Sequence, residues 1–195
     1  MKVYIDGQDN TDILGNGSAS SILSAVKRRA SEAGRVVIEI KLDDVVMDEE
    51  AFSNVSGGLG VYFTSRPVRE LILESLDEAA QYTPRLTRGL EEIALHFERN
   101  ESAVGEKKLA DGAEGLDWLL QVFQKCSSLL AVDADNNGLN ELQNSLAGGI
   151  SSLGAFHSEK KYLQMALCIR QKIVPYVEKL SLHIQKLRDL ALSTQ

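Results

Sequence analysis

The chain has 195 residues, of which 44% are hydrophobic and 25% are charged, and it contains only three prolines. This composition is that of a globular protein long enough to bury a core, which argues against a disordered chain. The formal net charge of −7 argues against nucleic acid as the main partner, because phosphate binding needs a basic face.

Residues 1–52 are predicted to form a small β-α-β(β) unit. A first strand reaches Asp6, and a helix with one apolar stripe ends before Gly34. Residues 35–42 are rich in β-branched side chains and form the strongest predicted strand. Residues 45–47 are expected to return as the second strand of a hairpin. Residues 53–65 follow as a predicted linker, because Gly57, Gly58 and Gly60 favour a flexible backbone.

From residue 66 onward the apolar residues repeat every three to four positions, which is typical of amphipathic helices. The clearest seam belongs to the first long helix and consists of Ile72, Leu76, Ala79, Thr83, Leu86, Leu90, Ile93 and Phe97. Residues 66–195 are therefore predicted to form an antiparallel bundle of about four helices. Two of them are long, and we expect Pro84 and Pro175 to kink them. The expected fold class is α+β and predominantly helical.

The other three helices are predicted over residues 106–130, 139–153 and 158–192. The stripe of the second helix comprises Leu109, Ala113, Leu116, Leu120, Phe123, Cys126 and Leu130. That of the last helix comprises Tyr162, Ala166, Ile169, Ile173, Tyr176, Leu180, Ile184, Leu187 and Leu190. Both cysteines, Cys126 and Cys168, fall on apolar faces, where a reduced thiol packs as a small hydrophobic group.

The segment from Asp133 to Gly138 resembles the start of a calcium-binding loop. Asp133, Asp135 and Asn137 place oxygen ligands at positions 1, 3 and 5, and glycine follows at position 6. Glu141 at position 9 is a further ligand candidate, but position 12 is an asparagine instead of the glutamate that chelates the ion. The alternative is an Asp/Asn/Gly-rich turn that caps the following helix. The sequence indicates no other cofactor.

Charge is unevenly distributed along the helical part. Residues 65–135 carry 8 Lys or Arg against 14 Asp or Glu, whereas residues 156–195 carry 7 against 3. One interpretation is that the basic last helix packs beside the acidic earlier helices. The other is that the basic helix is offered to an acidic partner or a membrane surface.

No catalytic constellation is evident. The three histidines do not have the spacing of a metal site, and the chain has no Gly-x-Ser-x-Gly nucleophile motif. Since no stretch approaches the roughly 20 apolar residues that span a bilayer, we expect no transmembrane segment. We also expect no signal peptide and a cytoplasmic location, because Asp6 interrupts the N-terminal apolar residues.

The helical seams predict a non-enzymatic role in protein–protein interaction, as an adaptor, assembly factor or chaperone-like protein. The expected partner is a protein, and a second copy of the chain is the first expectation, giving a homodimer. The alternative is a ligand- or calcium-responsive sensor in which the proline-containing helices transmit the signal. A third hypothesis is an enzyme of unknown class.

Overall fold

A computed structural model describes residues 1–130 and 139–193 of the chain. The chain divides into two compact units, one formed by residues 1–71 and one that begins at Ile72. The first unit contains a five-stranded sheet, and the described part of the second unit is helical. The protein is therefore an α+β protein that is mostly helical, as the sequence predicts.

The sheet of the first unit is mixed. Its strands are β1 (Lys2–Ile5), β2 (Gln8–Asp9), β3 (Arg35–Leu42), β4 (Val45–Met47) and β5 (Gly60–Pro67). They lie in the order β2-β1-β5-β3-β4. Strands β1 and β5 are parallel, and all other neighbours are antiparallel. The predicted hairpin of β3 and β4 is confirmed.

Three helices accompany the sheet, namely α1 (Thr11–Leu14), α2 (Ala19–Glu32) and α3 (Glu49–Ser53). Ser18 caps α2 by accepting a hydrogen bond from the amide of Ser21, and Gly34 follows the helix with a φ of 64°, which favours glycine. One face of α2 supplies Ile22 and Val26 to the core of the unit. The remaining members of this core include Val3, Leu23, Ile40, Phe52, Val61 and Phe63.

The structure differs from the prediction of a linker over residues 53–65. Residues 60–67 form β5, which lies in the centre of the sheet with Val61 and Phe63 buried. The alternation of these two residues with the exposed Tyr62 and Thr64 is a strand pattern. Hydrogen bonds hold the end of the glycine-rich segment beside the β3–β4 turn, because the Asp43 carboxylate accepts them from the amides of residues 59 and 60.

Asp6 connects β1 to the neighbouring strands. Its carboxylate accepts hydrogen bonds from the amide and the hydroxyl of Ser65, at 2.7 and 2.6 Å, and lies 3.4 Å from the guanidinium of Arg35. Burial opposes ionisation, but the Ser65 hydrogen bonds and the Arg35 charge outweigh it and lower the pKa of Asp6. An ionised Asp6 therefore joins three strands of the sheet.

The described helices of the second unit are α4 (Val68–Glu98), whose first four residues belong to the first unit, α5 (Ser102–Leu129), α6 (Leu139–Ser158), α7 (Tyr162–Cys168) and α8 (Val174–Ser193). Every residue of the predicted α4 seam is buried, which confirms it. The helix continues through Pro84. The kink at this position stays a prediction.

The predicted helix over residues 158–192 is divided in the structure. Helix α6 extends to Ser158, α7 begins at Tyr162, and a π-helical turn, Ile169–Ile173, joins α7 to α8. The amide of Val174 donates to the carbonyl of Ile169, five residues back. Because Pro175 has no amide hydrogen to donate, the regular ladder cannot continue at that residue, and the wider turn precedes it.

Glycines allow α5 to approach α4 closely. A Cβ atom at Gly105 would lie 2.6 Å from the ring of Phe97, and one at Gly115 would lie 1.9 Å from the hydroxyl of Tyr82. The Tyr82 ring makes an edge-to-face contact with Trp118 at 5.2 Å between centroids. The α4 side of α5 is therefore in close contact with α4 at both glycines.

Ion pairs join α4 to the C-terminal helices. Arg170 pairs with Glu91 at 2.8 Å and with Glu98, and Arg188 pairs with Asp77. The acidic α4 and the basic C-terminal segment therefore compensate each other inside the unit, which supports the first of the two interpretations of the charge distribution. In the described ranges, no helix combines the length and the apolar composition needed to cross a membrane.

Candidate functional site

An apolar groove lies between α5 and α6 and has a volume of about 460 Å³. Its α5 wall consists of Leu109, Ala110, Gly112, Ala113, Leu116 and Leu120. Its α6 wall consists of Ile150, Leu153 and Gly154. Its floor is formed by Leu90, Ile169 and Ile173, and its ionisable residues are Glu106, Asp117 and His157. We call this site the α5–α6 groove.

The walls of the groove are incompletely covered. Ile150 is 51% exposed, Leu109, Leu120 and Leu153 are half-buried, and Ala113 is exposed. The floor is different, because Ile169 and Ile173 are buried. The groove is thus an open apolar surface above a closed core.

Three of these wall residues belong to the apolar stripe of α5 that the sequence predicts. The predicted stripe of α5 is buried at Leu116, Phe123 and Cys126, whereas Leu109, Ala113 and Leu120 line the groove. The structure buries Leu119 completely. Two adjacent leucines at positions 119 and 120 fit a helical stripe equally well by spacing. Leu119 follows Gly115 by one helical turn, so it lies on the side of α5 that approaches α4 closely.

One end of the groove is closed by a polar contact. The Glu106 carboxylate accepts a hydrogen bond from the hydroxyl of Tyr162 at 3.1 Å and lies 3.4 Å from Nε2 of His157. The Tyr162 ring stacks on Phe97 at 5.7 Å between centroids, so its hydroxyl is held in place. The contact joins α5, α6 and α7 at this end.

A second carboxylate lies further along the same wall. Asp117 accepts a hydrogen bond from the amide group of Gln121 at 2.6 Å, one helical turn away. No charged residue occurs in the sequence between positions 142 and 156, which covers most of α6. The groove therefore has one acidic wall and one uncharged wall.

The two cysteines lie in the core. Burial raises the pKa of Cys126 and of Cys168, and the latter thiol donates to the carbonyl of Gly149 at 3.5 Å. A thiol with a raised pKa is a poor nucleophile, so both residues act as small hydrophobic groups.

The histidines are distributed over separate helices. His96 contacts Glu101 at 2.5 Å, His157 contacts Glu106, and the ring of His183 lies 6.2 Å from that of Phe123. Within residues 1–130 and 139–193, no three side chains of the types that ligate metals come together as a metal site.

The predicted calcium site falls mainly on residues outside the described ranges. Asp133, Asp135 and Asn137 lie outside the described residues, and Glu141 lies in the first turn of α6. The site stays a prediction. Titration calorimetry with calcium chloride tests it, and the absence of binding at millimolar calcium would contradict it.

The second unit contains a region shared with other proteins. A family model described as Domain of unknown function (DUF8042) matches residues 74–183, more than half of the chain. The chain belongs to this family. All residues of the α5–α6 groove lie within the matched region. Neither a curated protein nor a solved structure matches the chain.

Proposed function

We propose that this member of the DUF8042 family is a non-enzymatic interaction protein that binds an amphipathic helix of another protein in the α5–α6 groove. The observation that carries the proposal is an open apolar groove between two helices, with Ile150 half exposed on one wall. Amphipathic helices bind grooves of this kind by inserting the side chains of their apolar face. An adaptor or assembly factor acts through such contacts.

The helix arrangement that we infer around the groove is an antiparallel four-helix bundle of α4, α5, α6 and the α7–α8 segment. Residue pairs support it. Phe97 meets Gly105 whereas Tyr82 meets Gly115, so α4 and α5 run in opposite directions. Arg188 pairs with Asp77 and Arg170 with Glu91, so α4 and the C-terminal segment are also antiparallel.

The dimensions of the groove suit a helix. Its α5 wall extends from Leu109 to Leu120, eleven positions or about 16 Å along a helix axis. This length corresponds to about three turns of a bound helix. Small residues in the walls, Ala113 on α5 and Gly154 on α6, leave room for large apolar side chains from the partner. A helix with leucines at positions i, i+4 and i+7 presents such side chains.

The proposal is tested with a synthetic probe, a fluorescein-labelled helical peptide of about 18 residues with leucines in that spacing. Fluorescence anisotropy with the full chain should show saturable binding. Ile150→Glu, which places a charge in the apolar wall, should weaken binding by tenfold or more. Val104→Glu on α5 is the matched control, because Val104 is 46% exposed and lies outside the groove.

Two results would contradict the proposal. One is no binding of the peptide, and the other is an equal loss of affinity in the two glutamate variants. A third measurement, of palmitate binding, tests whether a small apolar molecule occupies the groove instead of a helix. If palmitate binds the wild-type chain while the peptide does not, the groove holds a small apolar molecule, and the helix-binding role is lost in favour of a ligand sensor.

Homodimerisation, which the seams predict, is a separate proposal for the same interaction role. Exposed leucines on the C-terminal helices, Leu163, Leu167 and Leu182, are compatible with an association surface. Size-exclusion chromatography with light scattering at high protein concentration should then give twice the chain mass of 21.4 kDa. A strict monomer would contradict it. The cytoplasmic location also stays a prediction.

A further inference from the structure

Glu106 and Asp117 occupy equivalent positions at two levels of the α5–α6 groove. They are eleven residues apart on α5, which is about three helical turns, so both lie on the same side of the helix. The distance between their Cα atoms along the axis is about 16 Å. The apolar wall of α5 lies between them.

The two carboxylates are held in place and remain accessible. The Glu106 side chain is 40% exposed, and the Tyr162 and His157 contacts both use its Oε1 atom. Asp117 is exposed and uses Oδ2 for its bond with Gln121. In the described part of the chain, the second oxygen of each carboxylate accepts no hydrogen bond, so it can receive a bond from a bound partner.

The opposite wall has no charge that would compete for these contacts. The uncharged stretch of α6 runs from residue 142 to residue 156, and His157 already faces Glu106. The ion-pair preference of the groove therefore comes from α5 alone. Two lysines follow Glu106 on α5. Lys107 is exposed and does not line the groove, and Lys108 is bound to Glu92 of α4 at 2.9 Å.

We propose that the α5–α6 groove selects a helix whose apolar stripe is bracketed by two Lys or Arg residues three turns apart, one for Glu106 and one for Asp117. This inference rests on the proposed function. A bound helix that is parallel or antiparallel to α5 repeats its own positions with the same 1.5 Å rise, so residues eleven positions apart match the spacing of the two carboxylates. Such pairing fixes the position of the helix along the groove, because a shift by one turn separates both ion pairs.

The test compares three versions of the leucine peptide by anisotropy with the full chain. One has two lysines eleven positions apart, one has them seven apart, and one has glutamines at these positions. Exposed ion pairs contribute about two- to fivefold each, so the first peptide should bind about tenfold more tightly than the glutamine peptide at low salt. The peptide with lysines seven positions apart should gain affinity from one ion pair only. Raising the salt concentration should reduce the difference.

Protein variants assign the two contacts. Asp117→Asn and Glu106→Gln should each lower the affinity for the first peptide about two- to fivefold and leave that for the glutamine peptide unchanged. Glutamine at position 106 still offers an oxygen to the Tyr162 hydroxyl, which limits structural effects. Asp111→Asn is the matched control, because Asp111 lies on α5 but does not line the groove.

The outcomes separate the two proposals. If all three peptides bind equally and Ile150→Glu abolishes their binding, the helix-binding role stands and the lysine spacing is refuted. The lysine spacing is also refuted if Asp117→Asn has no more effect on the affinity than Asp111→Asn has. If none of the peptides binds, both proposals are refuted.

Discussion

The two sides of α5 differ in how closely the side chains of the neighbouring helices approach it. On the α4 side, Gly105 and Gly115 meet aromatic side chains at distances that leave no room for a methyl group. On the α6 side, Leu109, Ala113 and Leu120 line an open groove. Both sides contain small and apolar residues, so composition alone does not tell a helix contact from a vacant binding surface. The difference lies in the facing helix, because α4 supplies aromatic side chains that contact α5, whereas α6 leaves a groove beside it.

The largest expected difference between the two sides comes from the adjacent leucines. Leu119→Ala should lower the free energy of unfolding by about 2–5 kcal/mol, because it empties a completely buried site. Leu120→Ala should lower it by about 1 kcal/mol, since this half-buried side chain loses less contact. Urea denaturation followed by circular dichroism measures both. Equal losses in the two variants would show that the sides of α5 are not distinct.

A smaller effect is expected from adding a methyl group on the closed side. In Gly105→Ala the new Cβ would lie 2.6 Å from the ring of Phe97, which is buried and stacked on Tyr162. We expect the free energy of unfolding to fall by about 1–3 kcal/mol. Gly89→Ala in α4 is the control, because a Cβ there meets no atom within 4 Å. A Gly105→Ala protein as stable as this control would mean that α4 and α5 are more loosely packed.

The same change on the open side should have the opposite sign. Gly154→Ala places a methyl group in the α5–α6 groove, where no atom lies within 4 Å of it. Because alanine favours the helix, the free energy of unfolding should rise by about 0.5–1 kcal/mol. Thermal unfolding by calorimetry is a suitable measurement. A decrease would indicate that the groove is closed in solution.

The smallest effect is expected at the buried hydroxyl of Tyr176 in α8. This side chain is 2% exposed, and its hydroxyl has no hydrogen-bond partner in the described residues. Burial without a partner also raises the pKa of Tyr176. Tyr176→Phe should therefore leave the free energy of unfolding unchanged or raise it by up to about 1 kcal/mol. A loss of more than about 1 kcal/mol would reveal a partner for the hydroxyl.

The sequence predicts the helical part well where one apolar stripe faces one core. The α4 seam from Ile72 to Phe97 is an example, since all its members are buried. Prediction is less accurate for α5, because this helix has apolar residues on two sides and the stripe through Leu120 continues the spacing as well as the one through Leu119 does. Which of the two is buried depends on the tertiary contacts of α5, and the spacing of apolar residues does not specify those contacts.

The strand β5 shows a second limit of sequence reasoning. Its start follows a glycine-rich segment that suggests a linker, and its partners β1 and β3 are distant in sequence. The hydrogen bonds from the backbone of residues 59 and 60 to Asp43 could not be inferred, because they depend on the pairing of β5 with β3. The groove was likewise not predictable, since periodicity identifies apolar faces and not the space between them.

Methyl NMR spectroscopy tests the open groove most directly. The leucine peptide with two lysines is titrated into the full chain with labelled Ile and Leu methyl groups. We predict shifts for Leu109, Leu120, Ile150 and Leu153, with little change at the buried Leu76 of α4. Shifts confined to exposed leucines such as Leu163 and Leu182, or no shifts at all, would contradict helix binding by the α5–α6 groove.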